Sequence, residues 1–426
     1  MATNAPAPAP RIVVLGCGDV GSAVAHRLFV LGADVVLADD PRPPHPRRGM
    51  AFTDAWFDGT ATLEGVSALL AHDTAELAAL AQSLDVLPCT DAPWADVVAA
   101  WRPDVLVDAR MRKRDVPPDL RAHAPTVVGL GPGFTPGVNC TLAVETAWGE
   151  ALGDASATAG TSPLAGEPRR FEGLARERFV YAPAAGLWRT AAHIGDRVAA
   201  GQPVGDLGSV PVAAPVTGAL RGLTRDGVPV RAGQKIVEVD PRAEPDVRGL
   251  GLRPAAIARG VARAVGLGDD LAGAFFGFEA SMRATLDCIP MSMRLKLDRC
   301  GLKLSLAQWR ALPRVLRELL LEAPVDDARS LQRLDLLLQR AVSHHAVGHG
   351  SPQTQPRSGA PDAATVPAEV ARRWVAEHAG DLPPARWAAL TPLQRYALLK
   401  LAAAKHGRNW PAAVAEFGLV DTAPTA

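Results

Sequence analysis

A short apolar run that feeds straight into three glycines constrains this chain more than any other feature. Arg11–Leu15 reads R-I-V-V-L, and Gly16-Cys17-Gly18-Asp19-Val20-Gly21 follows without a break. Residues 22–31 then carry a helical period, with Val24, Leu28 and Leu31 on one face and Gly32 at the expected stop. Asp34–Ala38 is a second apolar strand ending in Asp39-Asp40. Strand, glycine loop, helix, strand and acid in that order predict a Rossmann-like parallel sheet of the α/β class. Asp39 stands 23 residues after Gly16, near the spacing at which a carboxylate takes a ribose hydroxyl. Glycines also let backbone N–H groups approach an anion, so Gly16, Gly18, Asp19, Gly21 and Asp39 are candidate cofactor-binding residues. The same glycines equally serve a tight turn and close helix–strand packing.

The same domain offers a second loop of this kind. Asp104–Asp108 is a strand with an acid at each end, running into a basic stretch with Arg112, Lys113 and Arg114. Basic groups at the carboxyl end of a parallel strand lie where α/β sheets bind ligands, although charge runs are commonly solvated loops. A strand at 126–128 leads into Gly129-Leu130-Gly131-Pro132-Gly133-Phe134-Thr135, and residues 139–148 look helical. A second helix N-terminus aimed at the same anion is therefore expected. Asp108, Lys113, Gly129, Gly131, Gly133, Phe134 and Thr135 complete the candidate cofactor-binding set.

Bulk properties narrow the class. A chain of 426 residues suggests two to four domains. Formal net charge is zero, from 45 basic and 45 acidic residues, which argues against a general nucleic-acid binder. No apolar run approaches the roughly 18–20 residues of a membrane span. Residues 1–9 are rich in Ala and Pro, without the basic and apolar regions of a signal peptide, and are expected to form a disordered tail. Five scattered cysteines argue against a disulfide framework, so the expected location is cytoplasmic.

The middle of the chain repeats at an offset of 32 residues. Ala182-Pro183 with Gly186 matches Ala214-Pro215 with Gly218, Val198 matches Val230, and Gly201-Gln202 matches Gly233-Gln234. Neither copy can bury a face alone, so the two are expected to pack as one pseudo-symmetric β sandwich. The pattern resembles the biotinyl/lipoyl carrier fold over 180–241. In such carriers a lysine at the hairpin between the halves bears the cofactor. Here the hairpin, Gly205 to Pro211, has none, so neither biotin nor lipoate is expected.

Beyond residue 273 helical periodicity takes over. Residues 292–300 read as a helix with Pro290 near its start, Gly301 past its end, and Met293, Leu297 and Cys300 on one face. A weaker repeat relates Trp309-Arg-Ala-Leu312-Pro313 to Trp387-Ala-Ala-Leu390-Thr-Pro392, each followed by a leucine-rich helix. An all-α bundle follows from this. Residues 346–366 are rich in Gly, Ser, Pro and Gln and are expected to form a flexible loop. Cys288 and Cys300 have no ordinary zinc spacing, and His344, His345 and His349 border this loop, so no metal ligand is expected.

Two family resemblances cover most of the chain. Residues 10–266 resemble the selenium-dependent molybdenum hydroxylase system proteins, through Gly16-x-Gly18-Asp19, Ala25 to Phe29, Arg47-Arg48 with Ala51-Phe52, Glu64-Gly65-Val66, Pro103 to Ala109, Gly129 to Thr135, and Val144-Glu145-Thr146. The chain departs from that pattern after Thr146, where Ala147-Trp148-Gly149-Glu150 replaces a polar basic turn. Residues 275–420 resemble the nitrate reductase associated proteins, through Cys288-Ile-Pro-Met291, Arg294 to Gly301, Gln308-Trp309 and Leu390 to Leu401.

Together the resemblances imply an accessory or maturation factor, rather than an enzyme, for a molybdenum-cofactor enzyme such as an assimilatory nitrate reductase. They imply a molybdopterin-type cofactor or a nucleotide as the phosphorylated ligand, and the client enzyme as partner. No nucleic acid or membrane is expected as a partner, and self-association is compatible with this scheme. An NAD(P)-dependent oxidoreductase with Asp39 on the ribose and a non-catalytic interaction scaffold stand as alternatives. The expected organisation is a tail at 1–9, the Rossmann-like domain at 10–152, a connector at 153–179, the β module at 180–241, a helical linker at 242–273 and the all-α domain at 274–422.

Overall fold

A computed structural model describes residues 9–81, 83–112, 115–163, 168–268, 271–404 and 408–420. The chain divides into two compact units, 1–268 and 269–426. Lys113 and Arg114 of the basic stretch lie outside the described residues.

The first unit is built on a nine-stranded sheet. Its strands are β1 (Arg11–Leu15), β2 (Asp34–Ala38), β3 (Thr60–Leu63), β4 (Val66–Ala71), β5 (Val86–Thr90), β6 (Val105–Asp108), β7 (Thr126–Leu130), β8 (Leu142–Val144) and β9 (Ala155–Ser156). They lie in the order β3-β4-β5-β2-β1-β6-β7-β8-β9. The strands from β4 to β8 run parallel, and β3 and β9 close the edges antiparallel. Ile12, Val13, Val14 and Leu15 are buried because a central parallel strand is covered on both faces. From β1 the chain winds out through β2 to β5, then crosses back to β6. The strand order therefore reverses between β1 and β6, the kind of crevice where open α/β sheets bind ligands.

Four helices accompany these strands: α1 (Asp19–Val30), α2 (Ala55–Asp58), α3 (Thr74–Leu80) and α4 (Trp94–Trp101). The helix expected over 139–148 does not form. Leu142–Val144 instead pairs with Val128–Leu130 as β8. A short apolar run reads alike as helix or strand, and here the exposed ladder edge of β7 decides it. Nor is the stretch at 242–273 only a connection. Its helix α5 (Leu252–Ala264) packs along α1 and buries Ile257, Ala258, Val261 and Ala262. Gly260 lets the connection between β8 and β9 approach the same helix, since a Cβ there would lie 1.8 Å from the carbonyl oxygen of Gly153.

The 32-residue repeat becomes two four-stranded antiparallel sheets. The strands are β10 (Phe179–Tyr181), β11 (Gly186–Arg189), β12 (Arg197–Val198), β13 (Pro203–Leu207), β14 (Val210–Ala213), β15 (Gly218–Leu223), β16 (Pro229–Val230) and β17 (Lys235–Asp240). One sheet runs β10-β17-β15-β12 and the other β14-β13-β11-β16. Moving each of the first four strands on by one repeat gives the last four, and the pairings obey the same rule: β11 with β13 mirrors β15 with β17, and β12 with β15 mirrors β16 with β11. Trp188, Val198, Leu220, Val230 and Ile236 fill the space between the sheets. The hairpin from β13 to β14 turns at Gly208 (φ +66°).

The second unit is helical: α6 (Ala280–Arg283), α7 (Met291–Cys300), α8 (Leu306–Ala311), α9 (Arg314–Glu322), α10 (Ala328–His345), α11 (Ala368–Glu377), α12 (Pro384–Ala389), α13 (Pro392–Ala402) and α14 (Trp410–Glu416). Pro290 is the residue before α7 and Gly301 ends it at φ +73°, while Met293, Leu297 and Cys300 are buried. The tryptophan repeat recurs as a helix–turn–helix in both copies. Trp309 and Trp387 are fully buried, and each indole N–H donates to a carbonyl, of Leu286 and Asp362 respectively. The expected flexible loop at 346–366 is instead seated on the helices. Its strand β19 (Gln353–Thr354) pairs with β18 (Leu302–Lys303), and Gln355 donates to the Asp298 carboxylate at 2.8 Å. Asp298 also accepts from Tyr396 at 2.8 Å and pairs with Lys400 at 2.7 Å, so a buried carboxylate holds the polar loop down.

Candidate functional site at the carboxyl edge of the sheet

Register places the two glycine loops close together. Leu15 stands opposite Asp108, and Asp108 opposite Gly129, so the loops after β1, β6 and β7 leave the sheet side by side. Each glycine of the first loop answers a packing demand. Gly16 has φ +102°, and a Cβ on it would lie 2.9 Å from Ala109 O and from the Arg110 backbone. A Cβ on Gly21 would lie 1.8 Å from Gly16 O, and one on Gly18 3.3 Å from His45 Nδ1.

A strap, residues 40–50, crosses this loop and ties it to the β sandwich. Arg47 donates to Asp19 Oδ2 at 2.8 Å and, through a two-pronged contact, to Glu238 of β17 at 2.8 and 3.1 Å. Leu223 N donates to Pro46 O, and Arg48 Nε to Leu223 O, both at 2.7 Å. Asp19 therefore places its own carboxylate at the positive end of α1, also accepting from Val20 N. Burial raises its pKa, but Arg47 outweighs burial and holds it below the ordinary carboxylate range. Glu238 is fully buried. Lys235, Arg178 and Arg221 surround it at 3.2, 3.3 and 3.5 Å, and with Arg47 they overcome the cost of burial and hold it ionised.

The two remaining acids of the expected set are engaged locally. Asp39 Oδ2 accepts from Cys17 N at 2.7 Å and contacts His45 Nε2 at 2.9 Å, while Oδ1 accepts from Asp40 N at 2.8 Å. Burial works against both charges, but the contact wins: the Asp39 pKa is lowered and that of His45 raised. Asp39 thus faces His45 and Cys17 where a dinucleotide site would offer it to a ribose. Asp108 is buried and grips Arg110 through Nε at 2.9 Å and Nη2 at 2.5 Å. Arg112 is exposed.

The second loop is held by neutral groups. Gly129 accommodates the Phe134 ring, 2.1 Å from where a Cβ would stand. Asn139 accepts from Thr135 N at 2.9 Å and donates to Gly133 O at 3.0 Å, and Thr161 Oγ1 donates to Gly131 O at 2.6 Å. Gly131 (φ +102°) faces Met111 and Thr146, whose Sδ and Oγ1 lie 3.3 and 4.0 Å from a built Cβ. Met111 itself adopts φ +53°. Because β8 follows directly, this loop has no helix N-terminus behind it, contrary to the sequence expectation.

Three participants escaped sequence reasoning. Arg253 of α5 donates to Thr146 O at 2.6 Å, so a basic group reaches the turn whose own sequence lacks one. It comes from over a hundred residues away, with no local signal. Glu238 was likewise invisible, since its partner Arg47 lies 191 residues away, and His45, only six residues from Asp39, sits in a proline-rich stretch with no periodic signal. The edge thus combines packed glycine loops, an α1 terminus neutralised by Asp19, and Arg253 near the second loop.

Comparison with known proteins divides along the chain. Residues 275–417 match the family described as conserved nitrate reductase-associated protein, so the C-terminal region carries that family. A relative of the N-terminal part, "Uncharacterized protein YqeB" of Escherichia coli (strain K12), is 36% identical over 256 residues, which are 60% of this chain and 47% of the relative. The chain spans about half the length of that curated relative. Product-bound and apo structures of the ectoine utilization protein EutE (DoeB) from Ruegeria pomeroyi align at 12% identity over 55% of this chain and 86% of theirs, with a TM-score of 0.17, too low to indicate a shared fold. No helix among the described residues is long and apolar enough to cross a membrane.

Proposed function

We propose that this protein is an accessory factor for a molybdenum-cofactor enzyme of the nitrate reductase type. In this reading the helical unit engages the reductase, and the sheet edge of the first unit receives a phosphorylated ligand, a molybdopterin-type cofactor or a nucleotide. The observation that carries the reading is the match of residues 275–417 to a nitrate reductase-associated family. The ligand half draws support from the reversal of strand order between β1 and β6, the position at which open α/β sheets bind ligands. Asp19 already occupies the positive end of α1, so the anion would meet the second loop, Gly131, Thr146 and Arg253. The sandwich, lipoyl-like in its repeat but with no lysine in its β13–β14 hairpin, would serve as a rigid buttress rather than a swinging arm. Engagement of both Asp39 oxygens weighs against the NAD(P)-linked alternative.

The test is purification of the full chain from nitrate-grown cells, followed by assay for released pterin and nucleotide and for co-purifying reductase. The reading expects reductase to be retained by the full chain and by 269–426, and pterin or nucleotide to be lost on Arg253→Ala. Absence of both reductase and ligand would overturn it.

A further inference from the structure

A chemically distinct cluster lies beneath the strap. The thiol of Cys17, the carboxylate of Asp39 and the imidazole of His45 each present one ligand atom, and these atoms lie within 4.8 Å of one another. Three separate pieces of the fold deliver them. Pairing of Leu15 with Ala38 sets the ends of β1 and β2 level, which brings Cys17 beside Asp39. The strap lowers His45 onto the pair, and the missing Cβ of Gly18 lets the ring lie against the loop.

We propose that Cys17, Asp39 and His45 form a binding site for a divalent transition metal of the zinc class. Thiolate, imidazole and carboxylate are the three protein ligand types zinc accepts, and three such ligands leave a fourth position for water or another ligand. The thiolate and imidazole disfavour Mg2+ and Ca2+, which take oxygen ligands. A thiolate and a carboxylate with a neutral imidazole carry two negative charges, matching a dication. Binding exchanges the Cys17 thiol proton and the proton between His45 Nε2 and Asp39 Oδ2 for the metal ion, and both protons pass to solvent.

The surroundings pre-orient the ligands, as groups hydrogen-bonded to the ligating side chains do in metal sites. Asp39 is held by the N–H groups of Cys17 and Asp40. Thr53 Oγ1 donates to Cys17 O at 2.8 Å and lies 3.7 Å from Cys17 Sγ. Asp39 and Cys17 are largely enclosed, while the His45 side chain is 30% exposed and gives an entry route. A purely structural histidine–aspartate pair would have no use for the sulfur, and this difference is open to measurement.

The full chain, stripped with a chelator under reducing conditions, is titrated with Co2+ and then with competing Zn2+. The site predicts a single equivalent of Co2+ with a thiolate-to-cobalt charge-transfer band that Zn2+ abolishes. Cys17→Ser removes the band, and His45→Ala weakens Co2+ binding at least about tenfold. Cys288→Ser, in the helical unit, leaves both unchanged. His45→Ala alters a partly exposed side chain, so it carries the test if Cys17→Ser disturbs folding. Absence of the band in the folded native chain, or a band and affinity unaltered by His45→Ala, would overturn the site. Neither result bears on the nitrate reductase reading, which rests on the other unit.

Discussion

The two glycine loops share a sheet edge and a glycine-rich sequence, yet they are stabilised by opposite means. The first turns into α1, and its glycines admit backbone: Gly16 against Ala109 and Arg110, and Gly21 against Gly16 itself. An ionic chain then clamps it, from Asp19 through Arg47 to the buried Glu238. The second turns into a strand, its Gly129 admits an aromatic ring, and an amide and a hydroxyl, Asn139 and Thr161, tie its backbone. Glycine-rich sequence therefore reports close approach, and only the surroundings say what approaches. The first loop has become a structural joint between sheet and sandwich, leaving the second as the better candidate for contact with a phosphorylated ligand.

Substitutions at each loop can break this contrast. Glu238→Gln leaves Arg47, Arg178 and Arg221 without their shared counter-charge and is expected to cost about 3–5 kcal/mol in urea unfolding of the first unit. Its pH dependence has a definite sign. The Glu238 pKa is depressed on folding, so its contribution is complete above the ordinary glutamate pKa and is lost as pH falls below that value toward the folded one. The gap between wild type and Glu238→Gln should therefore narrow in acid. Gly21→Ala, forced against the Gly16 carbonyl, should cost roughly 3 kcal/mol, the upper part of the overpacking range.

Effects at the second loop should be smaller. Asn139→Ala strands the Thr135 N–H and the Gly133 carbonyl at a cost of about 1–3 kcal/mol. That gap should not change as pH falls below the ordinary glutamate pKa, in contrast to the gap for Glu238→Gln. Gly131→Ala meets only the Met111 and Thr146 side chains and pays mainly for its positive φ, roughly 1–2 kcal/mol. Equal costs and equal pH dependence at the two loops would erase the distinction.

The sequence disclosed much of the architecture because that part is local or periodic. The order from Arg11 to Asp39 appears as β1, α1 and β2, and the 32-residue repeat appears as two sheets whose pairings repeat at the same offset. Readings that depended on a tertiary partner failed. Leu142–Val144 became a strand because β7 had an edge to fill. Gln355, Pro361 and Asp362, in a loop of disordered composition, are fixed by Asp298, Arg395 and Trp387. The candidate site was legible in its glycines and acids but not in their use. Asp39 was visible as a strand-end carboxylate, whereas its partner His45 was hidden in a proline-rich stretch with no periodic signal.

Reductase activity per reductase polypeptide, measured in nitrate-grown cells lacking this protein, decides whether the reductase depends on it. A marked loss of specific activity is expected, restored by the full chain but not by residues 1–268 alone. Unchanged specific activity in the deletion strain would contradict it.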